Sequence, residues 1–312
     1  MLPRFRDDDL CNGINLLAAA WRKVKILLLG KVGQVGFELL RTLAPLGDVV
    51  AFDQPQLNFL DLPSLGELVR NHSPNVIVNA AAYTAVDKAE TDRQLSRALN
   101  ATAPGFLAQE AKRLNALLVH YSTDYVYPGD KASPYVEEDA TGPLSEYGRT
   151  KLEGDQLIQQ SGANYLIFRT SWVYGARGGN FLLTMLRLAK ERPELRVVSD
   201  QIGAPTWSRM IAEGTAHALV RAVSHPEQYS GTYHLTAGGQ TSWFGFTEAI
   251  FDLFAPDPRP KLLPIVTDQY PTAAKRPAHS VLSNDKFART FGVRLPDWQT
   301  QLSLVASEML TR

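Results

Sequence analysis

Along this chain, short apolar runs alternate with longer stretches whose apolar residues recur at helical spacing. That is the pattern of strand–helix–strand units around a parallel sheet, whose strands are buried on both faces and so read as continuous hydrophobic runs. Residues 24–29 (VKILLL), 49–52, 75–80 (NVIVNA), 116–121 (ALLVHY) and 165–169 predict strands. Residues 34–46, 65–71, 103–115 and 147–160 predict the helices between them; in the first, Val35, Leu39, Leu40 and Leu43 mark one face. Beyond about residue 175 the alternation gives way to segments punctuated by Gly and Pro, such as Gly203-Ala204-Pro205-Thr206, as expected of a substrate-binding cap. The expected fold is α/β: a Rossmann-type doubly wound parallel sheet whose core spans 23–175, with a smaller C-terminal substrate-binding lobe over 176–312. Some segments of that lobe are expected to return to the sheet.

Residues 1–22 stand apart from this pattern. Their apolar stretch, 14–20, is interrupted by Asn15, follows the aspartates Asp7, Asp8 and Asp9, and is too short to span a membrane or to read as a signal peptide. They read as an extension, or as the product of a start codon set upstream of the natural one.

The chain has 312 residues, with 32 Lys plus Arg against 32 Asp plus Glu, so no net field favours nucleic acid or an anionic membrane. At 45% hydrophobic and 21% charged residues, the composition is that of a soluble globular protein. One cysteine, Cys11, excludes an internal disulfide framework and a Cys-rich zinc site, which makes a cytoplasmic setting the expectation.

Four local features carry chemistry. The first is Gly30-Lys31-Val32-Gly33-Gln34-Val35-Gly36, a glycine-rich turn between the first strand and its helix. Such a turn lets the backbone approach a pyrophosphate at the helix N-terminus, although a glycine-rich turn can also be only a turn. Asp53 ends the second strand, 17 residues after Gly36, where a carboxylate can accept from an adenine ribose or simply cap a surface turn. Its charge disfavours a 2′-phosphate and by itself leans toward NAD. The second feature is Asn79 to Thr84, small residues at the end of the third strand. The third is Tyr121-Ser122-Thr123-Asp124 at the carboxyl end of the fourth. The fourth is Tyr147-Gly148-Arg149-Thr150-Lys151, which sets a phenol and an ammonium four residues apart on one helix face, 24 residues after Thr123. A cation there is expected to lower the phenol pKa toward neutrality.

In this order, the motifs resemble the extended short-chain dehydrogenase/reductase family and, within it, the dTDP-4-dehydrorhamnose reductases. The likeness is carried by GKVGQVGFEL from Gly30, VIVNAAAYTAVDKAE from Val76, HYSTDYVYPG from His120 and YGRTKLEGD from Tyr147. It continues through LIFRTSWVYG from Leu166, FLLTMLRLAKER from Phe181, SDQIGAPT from Ser199, YHLTAGG from Tyr233 and YPTAAKRPAHSVL from Tyr270, and leaves only the extension unmatched.

The resemblance implies roles residue by residue. Gly30, Gly33, Gln34, Val35 and Gly36 would hold the cofactor pyrophosphate. Asp53, Asp61 and Leu62 would border the adenosine, while Ala82, Tyr83, Thr84 and Tyr121 would line the path to the nicotinamide. Tyr147 would be the catalytic acid, Lys151 would bind the nicotinamide ribose and tune Tyr147, and Thr123 would assist both catalysis and sugar binding. Asp124 would touch the sugar and Trp172 would pack on it. Arg276 is a candidate for the diphosphate, or else a surface ion pair. The family uses NADPH and often NADH, which overrides the lean toward NAD. The implied reaction is reduction of the C4 ketone of dTDP-4-dehydro-6-deoxy-L-mannose to dTDP-L-rhamnose, the sugar nucleotide being the partner.

Two details refine this. Related 4,6-dehydratases follow the catalytic Thr with Asp-Glu, whereas here Thr123 precedes Asp124-Tyr125, so the base for elimination is missing. Some members of the family form a homodimer around Mg²⁺ held by glutamates. Glu38 and Glu308 match two of these, but the third position is Arg209, which cannot ligate a metal, so neither a metal site nor that dimer is expected. Two other readings stay open: a non-catalytic regulatory subunit like that of methionine adenosyltransferase, which resembles the same family, and an NAD-dependent sugar-nucleotide epimerase.

Overall fold

The structure, a computed structural model, describes residues 24–311; the extension and Cys11 lie outside the described residues. Its elements, in chain order, are β1 Lys25–Leu29, α1 Gln34–Leu43, β2 Asp48–Phe52, α2 Leu62–His72, β3 Val76–Asn79, α3 Ala103–Leu114, β4 Leu117–Thr123, α4 Glu146–Gln160 and β5 Asn164–Thr170. The second half adds α5 Phe181–Glu191, β6 Glu194–Val198, α6 Ser208–Ala222, β7 Gly231–His234, α7 Trp243–Phe254, β8 Lys261–Ile265 and α8 Trp298–Leu310.

Six parallel strands form the central sheet in the order β7-β5-β4-β3-β1-β2. Alternate residues of each strand feed opposite cores. Ile26 and Leu28 join Leu39 and Leu43 of α1 and Ile211 and Leu219 of α6 on one face. Leu27 and Leu29 join Leu65 and Val69 of α2 and Leu107 and Ala111 of α3 on the other. Each such aliphatic side chain contributes roughly 1.5–3 kcal/mol by leaving water, which is why these strands are unbroken apolar runs. The chain reverses direction across the sheet between β1 and β3, and an open α/β sheet binds its ligands at the strand ends beside such a point.

The helical period of the second half is hard to see in the sequence, and four helices there, α5 to α8, were not predicted. The buried positions of α6 include Ala212, Ala216, Ala218 and Ala222, too small to stand out, and α7 is apolar nearly all round. Here α6 packs against α1, and β7 extends the sheet beside β5. A separate core of Tyr174, Leu182, Trp207, Phe246, Ile250, Phe251, Trp298 and Leu302 builds the C-terminal lobe around α5, α7 and α8. Among the described residues, no helix is long and apolar enough to cross a membrane.

Candidate active site

The glycine-rich turn is shaped by close backbone packing. Gly30 leaves β1 at φ +89°, a conformation that glycine adopts without strain, and a Cβ there would lie 2.6 Å from Ala81 N. A Cβ on Gly36 would run into the Gly30 carbonyl, so the first turn of α1 lies directly on the strand end. Gly33, by contrast, has only ordinary contacts. Asp53 Oδ2 accepts from the Val32 N–H at 2.8 Å, so the carboxylate expected to meet a ribose also holds the turn closed.

A cavity of about 600 Å³ opens over these strand ends. Its walls bring together Gly30, Gly33, Gln34, Val35, Asp53, Ala82, Tyr83, Thr84, Tyr121, Tyr147 and Lys151, drawn from the segments that follow β1, β2 and β3, from the first turn of α1, and from β4 and α4. Gly36 lies beneath the turn. Asp61 and Leu62 are not in the wall: Asp61 caps α2, accepting from Ser64 N at 3.1 Å and Ser64 Oγ at 2.7 Å. Ser122, part of the motif at the end of the fourth strand, also lines the cavity, as do Thr170 and Phe59, which sequence reasoning passed over. Lys31, likewise missed, reaches Ala51 O at 3.2 Å and Gln56 Oε1 at 3.0 Å.

Helix α4 presents the phenol and the amine. Ser145 caps it, accepting from Gly148 N at 3.2 Å, and Gly148 is small enough to lie on the Tyr125 backbone. Tyr147 packs edge-on against Tyr125, with centroids 5.8 Å apart, and the Thr123 side chain stands close enough to act on its phenol. Thr123 Oγ1 donates to Asp124 Oδ1 at 3.0 Å and accepts from Tyr125 N at 3.2 Å. The expected lowering of the Tyr147 pKa is not found. Burial pushes the phenol up to about 12, opposed by the Thr123 hydrogen bond. Lys151 does not counter this, because its Nζ is turned to the Tyr121 carbonyl oxygen at 2.5 Å and to His120 Nε2 at 3.1 Å. Burial lowers Lys151 itself to about 8, opposed by Asp155. Asp124, buried beside Thr123, is pushed up to about 7 by desolvation.

The residues expected at the sugar nucleotide lie outside this cavity's wall. Trp172 sits at φ +46°, uncommon for a bulky residue, and stacks on Trp243 with centroids 3.5 Å apart and planes within 5°. Trp243, unforeseen from sequence, lines a second cavity of about 600 Å³ in the C-terminal lobe together with Gln201, Arg192, Arg196, Tyr270 and Arg276. Arg276 is not a free cation: it is paired with Asp87, and it stands close enough to Tyr125 to act on its charge.

The Mg²⁺ ligands of the resemblance do come together here, around a guanidinium. Arg209 Nε lies 3.0 Å from Glu38 Oε2, and its Nη1 lies 2.7 Å from Glu308 Oε2. A guanidinium already stands between the two carboxylates and pairs with each, so this donor set does not fit a metal ion.

A parallel doubly wound sheet with a glycine-rich turn at its reversal point, and a Tyr and Lys one helical turn apart at the same cavity, defines a Rossmann-type dinucleotide-binding protein of the short-chain reductase class. The chain matches the family described as RmlD substrate binding domain over residues 24–311. It is 48% identical to a dTDP-4-dehydrorhamnose reductase of Burkholderia thailandensis, over 93% of this chain and 100% of that protein. It is similar to the solved structure of a Clostridium acetobutylicum dTDP-4-dehydrorhamnose reductase, with a TM-score of 0.85 and 35% identity over 93% of this chain and 100% of that one. The Bacillus anthracis reductase in complex with NADP gives a TM-score of 0.84 and 34% identity over 92% and 99%. The chain belongs to the RmlD substrate binding domain family, that of the dTDP-4-dehydrorhamnose reductases.

Proposed function

We propose that this protein reduces the C4 ketone of dTDP-4-dehydro-6-deoxy-L-mannose to the alcohol of dTDP-L-rhamnose, using NADPH or NADH. The observation that carries this reading is that Tyr147 and Lys151 open onto the same cavity as the glycine-rich turn.

That cavity fits a dinucleotide. Gly33 leaves room for phosphate oxygens above the N-terminus of α1, whose amides and dipole favour an anion. Gly30, Gly33, Gln34, Val35 and Asp53 would hold one end, and Ala82, Tyr83, Thr84, Tyr121 and Lys151 the other. When bound, the reduced nicotinamide supplies the hydride.

The rest falls to the chain's own side chains. Tyr147, with its pKa near 12, carries its proton throughout the neutral range and can give it to the developing C4 alkoxide. Thr123 can donate to the same oxygen when its one hydroxyl hydrogen turns from Asp124 toward it, and stabilising a developing oxyanion in this way is commonly a leading contribution to such catalysis. Tyr125, whose ring covers the edge of Tyr147, stands where a dehydratase carries its second carboxylate, which leaves carbonyl reduction as the available chemistry. The second cavity is the proposed seat of the nucleotide, with Arg276 on its diphosphate and the Trp172–Trp243 stack beside the deoxysugar.

In this reading residues 23–175 form the core of the dinucleotide-binding domain. Residues 176–312 form mainly the substrate lobe, apart from α6 and β7, which join the sheet layers. The proposed setting is the cytoplasm. The test is NADPH and NADH consumption on addition of the ketosugar nucleotide. Substrate-dependent consumption supports the reading, and its absence with both cofactors overturns it.

A further inference from the structure

Two short strands, Ile202–Gly203 and Thr241–Ser242, pair antiparallel with Ser242 opposite Ile202 and Thr241 opposite Gly203. The next residue on each side, Gln201 and Trp243, therefore stand across from one another, and both line the second cavity. Trp243 Nε1 donates to Gln201 Oε1 at 3.2 Å, and Gln201 Nε2 donates to Thr267 Oγ1 at 3.1 Å. Thr267 gives its hydroxyl hydrogen to Asp200 Oδ1 at 2.7 Å. The direction of this row follows from its chemistry. An indole N–H only donates, which turns the amide oxygen of Gln201 to Trp243 and its NH₂ to Thr267. Gln201 is 6% exposed, so an unmet partner here would be costly.

The row sets the plane of an indole that lies flat on Trp172. The other face of Trp172 is covered as well. A Cβ on Gly203 would stand 2.4 Å from Cε2 of Trp172, closer than to the flanking Nε1 at 2.6 Å and Cζ2 at 2.7 Å, so the Gly203 backbone lies over the ring and not beside its edge. Trp172 is thus held between Gly203 and Trp243, and it lies in the wall of neither cavity. Its neighbours Thr170 and Val173 line the cofactor cavity while Trp243 lines the second, so the pair stands where the two approach each other. Phe181 leans on Trp243 at 39°, with centroids 4.5 Å apart, and supports it from α5.

We propose that Trp243 is the aromatic surface that meets the sugar ring, with Trp172 as its backing, and that Gln201 is a positioning residue acting through Trp243. The proposal rests on the reductase reading, which seats the nucleotide in the second cavity and brings the ketone to Tyr147 in the first. The sugar between them passes the tryptophan pair, of which Trp243 is the member open to it. A rigid indole offers a broad apolar contact at a small entropy cost, provided that its N–H is satisfied.

Calorimetry on the full chain with dTDP-L-rhamnose, dTDP and NADPH tests this without turnover. Gln201→Leu removes the acceptor, and its Kd for dTDP-L-rhamnose should rise about threefold to tenfold, the scale of one hydrogen bond. Trp243→Phe drops the N–H and part of the ring, and should raise the same Kd about tenfold. In both variants the Kd values for dTDP and NADPH should stay near the parent's. Melting temperatures check that each is folded, and either variant alone tests the sugar contact. The double variant should bind dTDP-L-rhamnose no more weakly than Trp243→Phe, since Gln201 then has no indole to hold. Losses that multiply would make Gln201 an independent contact and overturn its positioning role. Equal losses for dTDP and dTDP-L-rhamnose, or none for either, would overturn the assignment of Trp243 to the sugar, as would a parent that binds the two alike. Failure of the parent to consume NADPH or NADH with the ketosugar nucleotide would count against the reductase reading and leave these binding constants to decide this one.

Discussion

Arg276 closes on Asp87 as a two-point ion pair, Nη1 to Oδ1 at 3.1 Å and Nη2 to Oδ2 at 2.8 Å, tying the C-terminal segment to the turn that follows β3. The same guanidinium lines the second cavity. Arg276→Ala and Asp87→Ala both delete the pair, which at this exposure is worth about 0–1 kcal/mol, so their losses of thermal stability should be similar. Only Arg276→Ala removes a cation from the diphosphate seat. Its KM for the sugar nucleotide should rise roughly tenfold or more, since hydrogen bonds to charged groups contribute about 1.5–3 kcal/mol, with kcat near that of the parent. Equal KM changes in the two variants would make Arg276 a strut.

Two glycines of one turn should fail differently. A methyl on Gly36 collides with the Gly30 carbonyl, so Gly36→Ala should lower the melting temperature and with it cofactor binding. A methyl on Gly33 meets Gly30 O at 3.5 Å, an ordinary contact. Gly33→Ala should therefore melt close to the parent while the Kd for NADPH rises about tenfold, a loss near 1.4 kcal/mol. Melting curves and cofactor titrations on both variants separate the two roles.

Asp124 should leave a signature in stability against pH. Its folded pKa of about 7 stands above the ordinary 3.8, so the folded protein holds a proton that the unfolded chain has lost between about pH 4 and pH 7. Stability contributed by the protonated group is complete below the unfolded value and falls as pH rises through that window. Asp124→Asn removes the dependence. Its stability relative to the parent should grow by roughly 1–4 kcal/mol from about pH 4 to about pH 8, counting 1.36 kcal/mol per unit. A difference that stays constant across that range would show that Asp124 is not held protonated.

Arg209 should make a metal redundant. A chelator is expected to leave both the melting temperature and activity unchanged, while Arg209→Ala, which removes the guanidinium between Glu38 and Glu308, should lose roughly 1–3 kcal/mol. A fall in melting temperature on chelation of the parent protein would contradict this.

How much of this was legible in the sequence depends on the kind of residue. The five strands β1 to β5 announce themselves because a parallel strand covered on both faces must be apolar throughout, as VKILLL is. β7, with the sequence GTYH at the edge of the sheet, carries no such run and was invisible. The glycine-rich turn, Tyr147 and Lys151 could be read because their chemistry is local in sequence, and the structure sets them on one cavity. The pairing of Arg276 with Asp87, 189 residues away, could not be. Nor could the contact of Lys151 Nζ with His120 Nε2, since His120 had no role until α4 was laid beside β4. The pKa of Tyr147 was misjudged because spacing on a helix shows that Lys151 shares its face but not where the ammonium turns.

The central claim is that Tyr147 supplies the proton for ketone reduction at this cavity, and the most direct measurement compares substrate-dependent NADPH oxidation by the parent protein and by Tyr147→Phe. The expected result is turnover in the parent and a loss of roughly a hundredfold to ten-thousandfold in the variant, the usual contribution of a positioned acid, with NADPH binding nearly intact. Near-normal turnover in Tyr147→Phe would contradict it.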